Sequence, residues 1–159
     1  MPNLTIREAG PEDAELVASL IRELAAYERI LGETNPKVES LRQDLRHDAT
    51  PRLYCLIAEA NGAVVGMAIY YLAYSTNRTS WTIHLEDLFV RESHRGRNIG
   101  KTLMQRLGAI AKEGGYDSIE LEVMTWNSAA KFYEHLGAVV NPEANRMYFK
   151  DDALKKLTK

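Results

Sequence analysis

An α+β domain built on a mixed sheet is the fold this sequence predicts, and three observations predict it. Apolar residues recur at a spacing of two in some stretches and of three to four in others, so strands and helices both occur. Two apolar runs flank Asn61-Gly62, a strong hairpin signal, and a second turn at Asn77-Arg-Thr-Ser80 extends them into a three-strand meander. The third strand of that meander runs through a basic, glycine-containing turn straight into a helical stretch that begins at Ile99.

The elements follow in order. Leu4 to Arg7 alternates apolar and polar residues and reads as a short strand. Gly10-Pro11 breaks it, and proline suits the first turn of the next helix. Leu16, Val17, Leu20, Ile21 and Leu24 form the stripe of an amphipathic helix. Pro36 opens a second short helix carrying Val38, Leu41 and Leu45, which ends before Thr50-Pro51. The meander comprises Leu53–Ala60, Ala63–Tyr74 and Trp81–Val90. Helical spacing returns at Ile99, Leu103, Leu107 and Ile110 and stops near Gly114-Gly115. Ser118–Val123 alternates as a strand, Asn127–His135 reads as a short helix, and Gly137 suits a helix stop. Met147–Phe149 is the expected last strand, followed by a charged tail.

Bulk properties narrow the function. A chain of 159 residues suits a single domain, 1–159, and at that size hides roughly 68–70% of its unfolded surface, so it needs no metal or disulfide staple. The net charge of -2 argues against nucleic acid as a partner. No apolar run approaches the ~20 residues of a membrane span, and Met-Pro-Asn-Leu-Thr-Ile-Arg lacks the regions of a signal peptide. A cytoplasmic protein is therefore expected. Cys55, the only cysteine, sits in an apolar run and reads as a buried strand residue rather than a nucleophile. His47, His84, His94 and His135 are scattered without ligand spacing, so no metal is expected.

The chemistry concentrates in one stretch, Leu85 to Leu103. A turn between strand and helix aims several backbone N–H groups at one spot, beside the positive end of the helix dipole. Arg95, Arg97 and Lys101 add charge there, which suits a diphosphate. The spacing is neither that of a Walker loop nor that of a dinucleotide fingerprint.

Arg95-Gly96-Arg97-Asn98-Ile99-Gly100 resembles the Gln/Arg-x-x-Gly-x-Gly/Ala acetyl-CoA motif of the GNAT superfamily of N-acetyltransferases. Asn98 stands where that family usually has glycine, and asparagine is among the residues that best tolerate positive φ. Trp126-Asn-Ser-Ala-Ala-Lys-Phe-Tyr-Glu-His-Leu-Gly-Ala138 is similar to the family's Asn-x-x-Ala-x-x-Phe-Tyr segment, with Ala138 replacing phenylalanine. Ile21 to Glu28, Val65 to Tyr71, Leu85 to Val90 and Asn145 to Lys150 resemble the spermidine/spermine and thialysine N-acetyltransferase subgroup.

The resemblance implies a twisted, mostly antiparallel sheet of six to seven strands, splayed between strands 4 and 5. It implies acetyl-CoA as co-substrate, held by Leu88, Phe89 and Val90 along the pantetheine arm and by Gly96 to Lys101 at the diphosphate. Asn127, Ala130 and Tyr133 would touch the arm from the other side. An alkylammonium must lose a proton before it attacks, and Glu86 is the candidate base, acting through a water. Tyr133 would protonate the departing sulfur, and an N–H near Phe89 would hold the thioester oxygen. Tyr27, Glu28, Glu86, Asp87, Glu122 and Glu143 are the candidate contacts to the amine, since gathered carboxylates attract a cation. Three readings stay open: an acetyltransferase for a small cationic amine, one for protein lysines or N-termini, and a non-catalytic acetyl-CoA module. A homodimer is expected by analogy with the family.

Overall fold

The computed structural model describes residues 3–29 and 34–157. The chain divides into two compact units, Met1–Glu122 and Val123–Lys159.

The first unit carries a five-stranded sheet in the order β1-β2-β3-β4-β5. Its strands are β1 Leu4–Glu8, β2 Tyr54–Ala60, β3 Ala63–Ser75, β4 Ser80–Val90 and β5 Ile119–Leu121. Neighbours pair antiparallel except β4 and β5, which pair parallel. The expected α+β class and mixed, mostly antiparallel sheet are therefore present, with five strands among the described residues instead of six to seven. The meander forms because Asn61 and Gly62 both take positive φ, 51° and 80°, as the tight turn joining β2 and β3 requires.

Helix α1, Ala14–Glu28, follows a 3₁₀ turn at Pro11–Asp13, and α2, Val38–Asp44, follows Pro36. Val17, Leu20 and Leu24 of α1 pack with Leu45, Cys55, Ile57, Met67, Ile69 and Phe89. The alternate strand positions Leu56, Ala58, Ala68 and Tyr70 are buried as well, so the sheet is covered on both faces. Helix α3, Ile99–Gly114, meets β1 to β4 and hides Ile99, Leu103 and Leu107. It ends on Gly115 at φ 68°, where Tyr116 N–H donates back to Ala111 O at 2.8 Å.

Two irregularities shape β4. Between Ile69↔Asp87 and Tyr70↔Leu85 the register shifts, leaving Glu86 as one surplus residue, a β-bulge. Pairing to β5 covers only Ile83, His84 and Leu85. Pairing between β4 and β5 stops at Leu85↔Leu121, where β5 itself ends. Gly66, opposite Val90, allows a close backbone approach: a Cβ there would stand 2.5 Å from Phe89 O.

The second unit holds two short helices, α4 Ala129–His135 and α5 Asp151–Lys156. Asn127 Oδ1 accepts a hydrogen bond from Ala129 N–H at 2.9 Å, and Gly137 leaves α4 at φ 100°. The expected strand at Met147–Phe149 is not formed: these residues are irregular and exposed, and α5 occupies part of the expected tail. Three consecutive apolar residues gain nothing as a strand without a partner. The acids Asp151 and Asp152 in the first turn of α5, with Lys155 and Lys156 in its last, match the helix dipole.

A Gly66→Ala change forces backbone to move against the Phe89 carbonyl. Denaturant unfolding should show a loss of about 1–3 kcal/mol, the usual cost of overpacking; unchanged stability would mean that β3 and β4 do not need this contact.

Candidate active site

The turn before α3 is built as the sequence suggests. Gly96 has φ 74° and Asn98 has φ 62°, ψ 10°. A Cβ on Gly96 would meet no atom, so glycine serves there for its conformation alone. Asn98 takes the left-handed conformation that glycine usually supplies, one that asparagine adopts at modest cost. Thr102 N–H is bonded to Asn98 O at 2.9 Å, which leaves the earlier amides of the helix to find partners outside it. The first turn of α3 carries no acid, and Arg97 and Lys101 are exposed beside it. This combination fits a diphosphate. Arg95 is drawn elsewhere: its guanidinium lies 4.2 Å from the centre of the Tyr27 ring and donates Nε–H to Val90 O at 2.9 Å. Tyr27 is thereby linked to the turn from the end of α1.

The bulge decides the other half of the site. Residues paired across an antiparallel ladder share a face, so Asp87 lies on the face of Ile69, which α1 covers. His84 pairs with Tyr71, two residues from Ile69 and so on that same face. Residues 84 and 87 would fall on opposite faces of a regular strand; the surplus Glu86 brings them to one. The His84 ring stacks on Tyr71 at 4.7 Å, and its Nε2 stands 3.6 Å from Glu86 Oε2.

Helix α1 completes this corner. Arg91, just past β4, holds Glu23 through two hydrogen bonds of 2.8 and 2.7 Å and reaches Val64 O. That clamp keeps the Glu23 carboxyl below its ordinary range. Five residues on, Glu28 is half-buried, and burial raises its carboxyl. Asp87 is pushed up to about 6, chiefly by burial, with the charges of Glu86 and Glu28 adding to it. Asp87 therefore feels two of the other expected substrate contacts, Glu86 and Glu28.

The remaining candidates are more dispersed. Leu88, Phe89 and Val90 lie on β4 after the bulge, and Glu122 is exposed just beyond β5. In the second unit, Tyr133 packs edge-to-face on Phe132 at 5.1 Å, Ala130 lies in the first turn of α4, and Glu143 is exposed in a loop. Cys55 is buried, and its thiol is pushed up to about 12 by that burial, so it stays protonated as a packing residue. Among the described residues no cluster of three His, Cys, Asp or Glu offers a metal site. None of their helices is long and apolar enough to cross a membrane. Sequence reasoning missed His84 and Tyr71. The available signal was the spacing of His84 and Glu86 on one strand, obscured because the histidines were weighed only as metal ligands.

The buried, raised Asp87 makes a signed prediction. An unfolded aspartate titrates near ~3.9, so between that value and 6 the folded chain binds more protons than the unfolded one. Stability should rise as pH falls through this window, and Asp87→Asn should lack that rise. Thermal melts should show D87N more stable than wild type near pH ~7.5, by on the order of 2 kcal/mol, with the gap closing towards pH ~4. A gap independent of pH would contradict the assignment.

Comparison with known proteins agrees with this geometry. The profile of the acetyltransferase (GNAT) family matches residues 18–138, a span that enters both units. A thialysine N-epsilon-acetyltransferase of Bos taurus is 34% identical across 99% of this chain and 98% of its own. A spermidine/spermine N(1)-acetyltransferase-like protein 1 of Homo sapiens is 34% identical across 87% of this chain and 21% of its own length. Among solved structures, an integron cassette protein from the mobile metagenome of V. cholerae superposes with a TM-score of 0.81 at 25% identity, covering 98% of each chain. With the left-handed turn before α3 and the broken β4 edge, these likenesses establish that the chain belongs to the GNAT family of acetyl-CoA-dependent N-acetyltransferases.

Proposed function

We propose that this enzyme moves an acetyl group from acetyl-CoA to a primary amine of a small cationic metabolite: a polyamine, a diamine, or an amino acid of the lysine or thialysine type. The observation that carries this reading is the meeting of Glu28, Glu86 and Asp87 where β4 leaves β5. Gathered carboxylates in a partly buried corner favour a cationic acceptor and raise its encounter rate. The similarity to thialysine and spermidine/spermine acetyltransferases over most of the chain points the same way.

Bound at the turn before α3, acetyl-CoA supplies the acetyl thioester. Gly96 to Lys101 hold the diphosphate by amides and charge, and the backbone of Leu88, Phe89 and Val90 receives the pantetheine arm. We assign Asn127, Ala130 and Tyr133 to the pantetheine arm, and the span 1–159 to a single acetyltransferase domain. Tyr27, Glu28 and Asp87 bind the ammonium end or ends of the acceptor, with Glu122 and Glu143 as outer contacts. Glu86 takes the proton of the attacking ammonium through a water, and an N–H near Phe89 donates to the thioester oxygen. The Tyr133 hydroxyl gives its proton to the departing sulfur. The same reading makes the enzyme a cytoplasmic homodimer without nucleic-acid or membrane partners; sedimentation tests the dimer.

Thiol release from acetyl-CoA, followed over a panel of spermidine, short diamines, thialysine and a lysine peptide, tests the substrate class. The small dications or thialysine should turn over at least about tenfold faster than the peptide, equivalent to about 1.4 kcal/mol of discrimination. A preference for the peptide would replace the proposal with a protein acetyltransferase. Tyr133→Phe should lower kcat by about 10²-fold while leaving acetyl-CoA affinity intact, as loss of a proton donor does; an unchanged kcat would remove Tyr133 from the chemistry.

A further inference from the structure

We propose that His84 is the relay through which Glu86 discharges the proton it takes from the amine. This rests on Glu86 being the base. The observations behind it are geometric: the bulge sets His84 on the face of Asp87, and its Nε2 lies 3.6 Å from Glu86 Oε2. That gap is slightly longer than a hydrogen bond and too short for a bridging water, so a small approach of the two side chains makes the contact direct. Stacking on Tyr71 limits how the imidazole can turn, and its side chain is 18% exposed, which leaves a path to solvent.

The neighbours support a relay directed at Glu86. On β3, His84 faces Tyr71. On β5 its register partner is Glu120, whose carboxylate already binds Arg78 at 2.8 Å, and Arg78 also binds Asp117. On its own strand the facing acid is Glu86, with Asp87 following it.

The step balances. The ammonium gives one proton, through a water, to a Glu86 oxygen; the freed nitrogen lone pair forms the new bond to the acetyl carbon as the C–S bond breaks, the sulfur takes the Tyr133 proton, and the second proton lost by nitrogen replaces it on Tyr133. Glu86 then passes that proton to Nε2 of a neutral His84 that carries its own proton on Nδ1. The imidazolium releases one proton to water. Carboxylate and neutral imidazole are both restored, and no oxidant or further reactant is needed. His84 is thus a positioning and relay residue acting through Glu86.

The test compares wild type, Glu86→Gln, His84→Ala and His84→Gln with the best amine of the panel, after melts confirm folding. H84A should lose about 10²-fold in kcat, with KM for amine and acetyl-CoA within about twofold, and added imidazole should restore part of the rate. H84Q, which fills the space without carrying a proton, should stay slow and should not respond to imidazole. If E86Q retains the wild-type kcat, the assignment of Glu86 falls and the relay with it. If E86Q is slow but H84A is not, or if H84Q alone restores the rate, Glu86 stands and the relay is overturned. Should H84A fail to fold, H84Q decides: wild-type kcat overturns the relay, and a slow enzyme with unchanged KM supports it.

Discussion

One surplus residue in β4 sets which of its side chains share the face beneath α1. In a regular strand, side chains alternate strictly, so His84 and Asp87 would face opposite sides of the sheet. Glu86 interrupts that alternation, and the two share the face that α1 covers. The same residue follows immediately on Leu85, where pairing between β4 and β5 stops. A bulge bends and twists its strand locally, so one insertion re-aims the acids beside the end of the parallel ladder. Gly66 lets β3 follow the altered strand closely, at a spacing that no side chain permits.

Around that bend the protein accepts an electrostatic cost. Asp87 is lifted to about 6, whereas Asp13, a buried acid paired with Arg7 at 2.8 Å, is lowered. The contrast lies in partners. Arg7 and the Gly10 amide satisfy Asp13, while the charges that act on Asp87 are the like charges of Glu86 and Glu28. A structural acid is neutralised from within the fold; a corner that repels its own charges is suited to a cation from outside. Strain of this kind concentrates at functional sites and is held in place by the surrounding structure. Here the Arg91–Glu23 clamp and the Arg95–Tyr27 stack hold the end of α1 against the strain.

Much of this was legible in the sequence. Asn61-Gly62 located the first hairpin, the α3 stripe located its helix, and Arg95 to Gly100 located the turn because left-handed positions demand glycine or asparagine. The bulge is only faintly marked. No glycine stands there, and its one signal is the break in alternation at Glu86-Asp87, two polar residues in a row, which a reading of Trp81–Val90 as one strand passes over. The role of Arg95 was likewise hidden, since its partners Tyr27 and Val90 depend on α1 meeting the turn. Met147–Phe149 failed for a different reason: a short apolar run shows what a strand would look like but supplies no neighbour to pair with.

The most direct measurement is a crystal structure with coenzyme A and a diamine bound together. The account predicts the diphosphate on the amides of Gly96 to Lys101, and an ammonium nitrogen within one water of Glu86 and beside Asp87 and Glu28. A diamine seated away from these three carboxylates, with the diphosphate elsewhere than the start of α3, would contradict it.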